Sequence, residues 1–116
     1  MNNSNEYEPW IGVDLDKTLA YANDSYEPDA IGEPVPEMLA RVQDWLKNGH
    51  KVKLFTARAS EPSNIPAIEK WLNKHGLKDL EVTNEKDPGL VQLWDDKAVG
   101  VVPNSGARAT QVLFTP

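Results

Sequence analysis

Cysteine is absent from this 116-residue chain, and its absence excludes a disulfide framework, a thiolate zinc site and a cysteine nucleophile at once. Long apolar runs are missing too. Nothing approaches the roughly 20 apolar residues of a membrane-spanning helix, and the leader MNNSNEYEP has neither the basic start nor the apolar centre of an export signal. The expectation is a cytoplasmic protein that does not meet a membrane. Basic residues are the minority: 12 Lys and Arg stand against 18 Asp and Glu, for a net charge of −6 and a pI near 4.8. Sequence-blind nucleic-acid binding relies on cationic side chains replacing counterions, so nucleic acid enters only as a substrate.

Hydrophobic residues make up 40% and charged residues 26% of the chain, the balance of a folded domain rather than a disordered chain. A second core would leave each half too small to bury enough apolar surface. One domain is therefore expected over residues 10–103, between a polar leader at 1–9 and a tail at 104–116. WIGVDL, residues 10–15, is a short apolar run of the kind that forms a strand buried on both faces. From Pro36 the residues Met38, Leu39, Val42, Trp45 and Leu46 recur at helical spacing, and Gly49 follows as a cap. KVKLFTA reads as a second strand, and Asn64 to His75 as a second helix with Pro66 in its first turn and Gly76 after it. LEVT, LVQLWDD and AVGVV supply three more strands.

The Gly- and Pro-rich stretch at 19–34 reads as a small flap, opening with a hairpin from Leu19 to Tyr26. The link between the third and fourth strands is too short for a crossover helix, which predicts a single helical turn there or a strand order that needs none. Alternation of strands and helices predicts an α/β fold, a three-layer Rossmann-like and mostly parallel sheet of about five strands with helices on both faces. In such sheets ligands gather at the carboxyl ends of the strands.

Those ends are polar throughout. Asp14 and Asp16 follow the first strand, Thr56 and Arg58 the second, Lys86 the third, and Asp95 and Asp96 end the fourth, with Lys97 beyond. Carboxylates gathered on one edge repel each other. A hard divalent cation offsets that repulsion, and Mg²⁺ suits a few carboxylates while keeping waters and phosphate oxygens in its shell. Singly, each residue has an ordinary structural role, as a loop acid, a turn cap or an exposed lysine. Their order and placement together carry the weight. The four tryptophans read as core residues, with Trp10 and Trp94 placed to flank the site.

Asp14-Leu15-Asp16-Lys17-Thr18 behind an apolar strand, Thr56 ending KVKLFT, Lys86, and Asp95-Asp96 ending LVQLW resemble the four ordered motifs of the haloacid dehalogenase-like (HAD) phosphohydrolases. The likeness spans residues 10–102. It implies a HAD-like fold and a Mg²⁺-dependent phosphomonoester hydrolase that works through an aspartyl-phosphate. Asp14 would be the nucleophile and Asp16 the general acid and base. Thr56 and Lys86 would hold phosphoryl oxygens, with Arg58 a candidate substrate contact. Asp14, Asp95, the main-chain carbonyl of Asp16, and Asp96 directly or through water would hold the metal. Position 17 is Lys where many relatives have Gly, and no cap domain follows either the first or the third motif. A site without a cap predicts a covering flap or a neighbouring subunit, and a homodimer in which the tail with QVLFT takes part is expected. Two alternatives stand beside the hydrolase: a polynucleotide 3′-phosphatase, and a module that binds Mg²⁺ or phosphate without turnover.

Overall fold

The computed structural model describes residues 7–23, 25, 27 and 29–109. Four strands, β1 (Trp10–Val13), β2 (Val52–Phe55), β3 (Glu81–Thr83) and β4 (Leu90–Trp94), form one all-parallel sheet in the order β3-β2-β1-β4. Two helices, α1 (Pro36–Lys47) and α2 (Ile65–Lys74), make the crossovers from β1 to β2 and from β2 to β3. Each helix is preceded or opened by proline and followed by a glycine in the left-handed region, Gly49 at φ +86° and Gly76 at φ +75°. Only a residue without Cβ takes that conformation freely, so the helices stop where the sequence places those glycines.

The expected three layers reduce to two among the described residues. Ile11 and Val13 of β1 and Val52 and Leu54 of β2 share one buried cluster with Met38 and Val42 of α1 and with Ile68, Trp71 and Leu72 of α2. Both helices therefore cover the same face. The cause is topological: the steps β1 to β2 and β2 to β3 run in one direction, and right-handed crossovers in one direction fall on one side of the sheet. The reverse step to β4 is made by residues 84–89, which carry no helical turn and lie against the opposite face. There Trp10 Nε1 donates to Asp87 Oδ1 at 2.8 Å, and Lys53 Nζ lies 3.6 Å from Asp87 Oδ2 and 4.5 Å from the Trp10 ring centroid.

The expected fifth strand at AVGVV does not form either. Val101 makes one isolated antiparallel bridge to Arg108, Val102 N donates to Ala107 O at 2.8 Å, and Ala109 N donates to Gly100 O at 2.8 Å. A turn through Asn104 and Gly106, at φ +62° and +75°, folds the segment onto itself. Its backbone groups find partners within the turn rather than along β4, which leaves Val99, Val101 and Val102 exposed. The flap differs from the expected hairpin as well. Ala20 pairs antiparallel with Pro34 and Tyr21 N donates to Glu33 O at 2.9 Å, so the excursion closes at its two ends. Trp71 Nε1 fastens it to the body by donating to Gly32 O at 2.9 Å. Tyr26, the far end of the expected hairpin, and the QVLFT segment lie outside the described residues. No helix among the described residues is long and apolar enough to cross a membrane.

Candidate active site

Strand register brings the acids together. Val13 is paired with Trp94, and Asp14 N donates to Trp94 O at 2.9 Å, so the ladder between β1 and β4 runs one residue past the strands and sets Asp14 beside Asp95. Adjacent strands lie roughly 4.8 Å apart. One carboxylate oxygen from each of Asp14, Asp95 and Asp96 falls within 4.8 Å of the other two. Burial pushes the Asp14 carboxyl from 3.8 up to about 7, aided by a hydrogen bond to Asp96 and by the charge of Asp95. Asp96 moves the other way, held below the usual carboxylate range chiefly by accepting that hydrogen bond, with Lys97 adding to the effect. The two opposite shifts share one hydrogen bond between the acids, which favours the protonated form of Asp14 and the ionised form of Asp96.

Neighbouring cations only partly offset the cluster. Lys97 Nζ lies 3.3 Å from Asp96 Oδ2, and Lys97 N donates to Asp95 Oδ1 at 2.8 Å. Three hard oxygen donors from two adjacent strand ends match what Mg²⁺ takes from a protein, so Asp14, Asp95 and Asp96 fit a divalent cation.

Asp16 stands apart from this triad. Both of its oxygens are held by Arg58, with Nε donating to Oδ2 and Nη2 to Oδ1, each at 2.8 Å. The same Nη2 reaches the flap carbonyl of Ala30 at 3.3 Å. This two-pronged bond raises Arg58 further above its ordinary value. Arg58 owes its position to Thr56, whose buried hydroxyl accepts from Arg58 N at 3.1 Å and so starts the 3-10 turn Ala57–Ser60. Thr56 therefore fills a capping role, and a hydroxyl that accepts still has its own hydrogen to give.

Three cavities surround these residues. One of about 460 Å³ is lined by Asp14, Phe55, Ser60, Asn84, Asp95 and Lys97. A second, about 370 Å³, lies toward α1 between Lys17, Arg41, Trp94, Asp95 and Asp96, with the Arg41 guanidinium 5.0 Å from the Trp94 ring centroid. The third, about 530 Å³, opens under the flap and includes Asp16, Lys17, Ala57, Arg58 and Ser60 in its walls.

Neither Thr56 nor Lys86, the residues expected to hold phosphoryl oxygens, lines any of these three cavities. Lys86 is exposed on the link to β4, and the lysine beside Asp14 is Lys97. Lys17 takes φ +70°, the left-handed conformation that glycine adopts without cost, and its side chain borders two of the cavities. Arg41 was invisible as a site residue because it sits mid-helix in α1, where helical periodicity explains it as a surface position. The Asp16–Arg58 pair had a readable signal only in part: each residue lies three positions past the end of a strand, and the sheet makes those two strands neighbours. Comparison with protein-family models, curated proteins and solved structures finds no match for the chain.

Proposed function

We propose that the protein is a Mg²⁺-dependent phosphomonoester hydrolase of the HAD type. The observation that supports it most is the Asp14–Asp95–Asp96 cluster at the carboxyl end of the central strand, whose proton on Asp14 a cation would replace. Bound Mg²⁺ supplies positive charge that favours ionised Asp14 and offsets the phosphoryl charge.

In this reading an Asp14 oxygen attacks phosphorus and the bond from phosphorus to the alcohol oxygen breaks. The departing oxygen keeps the electron pair and takes a proton from Asp16. A water then attacks phosphorus and gives its proton to Asp16, and the bond between Asp14 and phosphorus breaks to release inorganic phosphate. Thr56 and Lys86 would steady phosphoryl oxygens, and Lys97, which borders the cavity at Asp14, would add a further ammonium there. Hydrolysis of p-nitrophenyl phosphate, measured with and without Mg²⁺, tests the proposal. Turnover that needs Mg²⁺ and disappears in Asp14→Asn is expected, and turnover that survives either loss overturns it.

A second reading, a module that binds Mg²⁺ or phosphate without turnover, draws support from the commitment of both Asp16 oxygens to Arg58. Calorimetric binding of Mg²⁺ with no hydrolysis across aryl, sugar, nucleotide and 3′-phosphorylated oligonucleotide substrates would favour it. A preference for the oligonucleotides within that panel would favour the 3′-phosphatase form.

A further inference from the structure

The cavity of about 460 Å³ that holds Asp14 borders two others, and they lead to different surroundings. Toward α1 it shares Asp95 with the cavity of about 370 Å³, whose wall also carries Asp96. Mg²⁺ held by Asp14, Asp95 and Asp96 would occupy that side. Toward the flap it shares Ala57 and Ser60 with the cavity of about 530 Å³, so a group attached to phosphorus and pointing away from the cation enters there. That volume lies within the span of small-molecule sites, about 300–1,000 Å³.

The walls of the flap cavity depart from an ordinary ligand pocket, which is lined mostly by apolar and aromatic side chains. Among its described lining residues no aromatic ring occurs, and the apolar ones are the small Ala22 and Ala57. A nucleobase or a hydrocarbon tail finds little surface to cover. Hydrogen-bonding groups stand there instead, Asn23, Ser25 and Glu27 from the flap and Ser60, Glu61 and Asn64 from the segment after β2. Three of them are fixed in direction by the backbone. Ser25 N donates to Asn23 Oδ1 at 2.9 Å, Glu27 N donates to Ser25 Oγ at 3.1 Å, and Asn64 Nδ2 donates to Arg58 O at 2.9 Å. The Asn23 amide and the Ser25 hydroxyl keep hydrogens to give, and Asn64 Oδ1 keeps its capacity to accept.

Charge narrows the ligand further. Asp16, Glu27 and Glu61 set three carboxylates against Lys17 and Arg58, and Asp16 is paired with Arg58. The two glutamates weigh against a second anion on the alcohol, and Lys17 on the same wall weighs against a cation. Hydroxyl groups suit the carboxylates and the amides alike, because each gives one hydrogen and accepts on its lone pairs. We infer that the flap cavity receives the substrate's alcohol and that this alcohol is an uncharged polyol, so that the substrates are sugar or sugar-alcohol monophosphates. The inference rests on the phosphomonoesterase reading above and adds the class of alcohol to it.

Matched esters test this with Mg²⁺ present. Sorbitol 6-phosphate and hexyl phosphate share a six-carbon chain and a primary ester, and kcat/KM should favour the sorbitol ester by about 10- to 100-fold, the span expected of a hydrogen bond to a charged group. Ribose 5-phosphate should be hydrolysed faster than adenosine 5′-monophosphate, and glycerol 3-phosphate faster than either phosphoethanolamine or 3-phosphoglycerate. Glu27 and Glu61 are exposed, so Glu27→Ala and Glu61→Ala should fold. At least one of them should reduce the sorbitol preference about 10-fold, while Asp87→Asn, on the opposite face of the sheet, should keep it. Equal rates for the sorbitol and hexyl esters in the native protein overturn the inference. So does a faster rate for any charged or base-bearing ester than for its partner, or a preference undiminished in both glutamate variants. In each of these cases hydrolysis of p-nitrophenyl phosphate keeps the hydrolase reading, and absence of all hydrolysis overturns both.

Discussion

At the carboxyl end of the sheet, burial and two neighbouring acids push Asp14 up to about 7. On the face left uncovered by helices, Asp87 is held below the ordinary carboxylate value because Trp10 Nε1 donates to it, with the Gly89 amide and Lys53 adding to the effect. The two residues have the same chemistry and opposite circumstances. Asp87 has every partner supplied by the fold, and it fastens the link 84–89 beneath β1 and β2. Asp14 has been given acids for neighbours, an arrangement the fold tolerates only by keeping a proton or taking a cation. A carboxylate satisfied by its own chain reads as structure, and one left in want of a cation reads as a site. Asp16 lies between these extremes, satisfied by Arg58 yet at the edge where the acids gather.

Substituting the two acids should break the comparison most sharply. Asp14→Asn removes the proposed nucleophile and should lower Mg²⁺-dependent hydrolysis of p-nitrophenyl phosphate by about 10³-fold or more, while the protein stays folded. Asp87→Asn should leave turnover per folded molecule unchanged and lower the melting temperature, because Lys53 loses one of its two charge partners and keeps only Glu81. Steady-state rates and thermal melts on both variants check the pair. Matched losses of activity would erase the distinction between site and support.

Mg²⁺ should act on one region and not the other. Binding confined to the folded state stabilises by RT ln(1 + [L]/Kd), about 2.7 kcal/mol at a hundredfold excess over Kd. The melting temperature of the native protein should rise accordingly with Mg²⁺ and that of Asp87→Asn should rise as much. Asp14→Asn and Asp95→Asn should lose most of the response. A rise that survives both would move the cation away from the triad.

The legible part of the molecule follows the same division. Helices α1 and α2 were readable because helical spacing, a proline at the start and a glycine at the end agree. Strands β1 to β4 were readable as apolar runs. AVGVV has the composition of a strand and failed as one, because its backbone partners come from a turn that Asn104 and Gly106 allow and that apolar content does not reveal. The single helical layer was hidden in strand order, since composition does not say on which side of β1 each later strand lies. Asp14, Asp95 and Asp96 were readable as a group because they lie within two residues of the ends of β1 and β4. Lys97 carried no signal by its type, and its place just past β4 sets it on the wall of the cavity at Asp14, while Lys86 lies exposed on the link.

Close packing around the link offers a purely structural counterpart. A Cβ on Gly89 would stand 2.1 Å from the Glu8 carbonyl oxygen, and both partners are backbone. Gly89→Ala must displace the approach to β1 or the start of β4 and should cost about 1–3 kcal/mol, measured by chemical denaturation. Hydrolysis by the fraction that remains folded should be unaffected. A parallel loss of activity and stability would tie the link to the site after all.

The last comparison concerns pH, and its sign separates the two acids. The ordinary value of Asp14 is 3.8 and burial with its neighbours raises it to about 7. Between those values the folded state holds a proton that the unfolded chain has released, so this group's contribution to stability falls as pH rises from about 4 to about 7 and is level above. Asp87 is lowered, so its contribution is present above the ordinary carboxylate value and is lost as acid titrates the folded form. The metal-free native protein should accordingly show a melting temperature that declines from pH 5 to pH 8. Asp14→Asn, whose amide stays neutral, should flatten that decline and melt above the native protein at pH 8, while Asp87→Asn should keep it. Saturating Mg²⁺ should reverse the native trend, because binding releases the Asp14 proton and grows stronger as pH rises. Melting curves at half-unit pH steps, with and without Mg²⁺, decide the matter. An equal decline in native protein and Asp14→Asn would show that the proton lies elsewhere, and a flat native profile would remove the crowding of Asp14 on which the comparison with Asp87 depends.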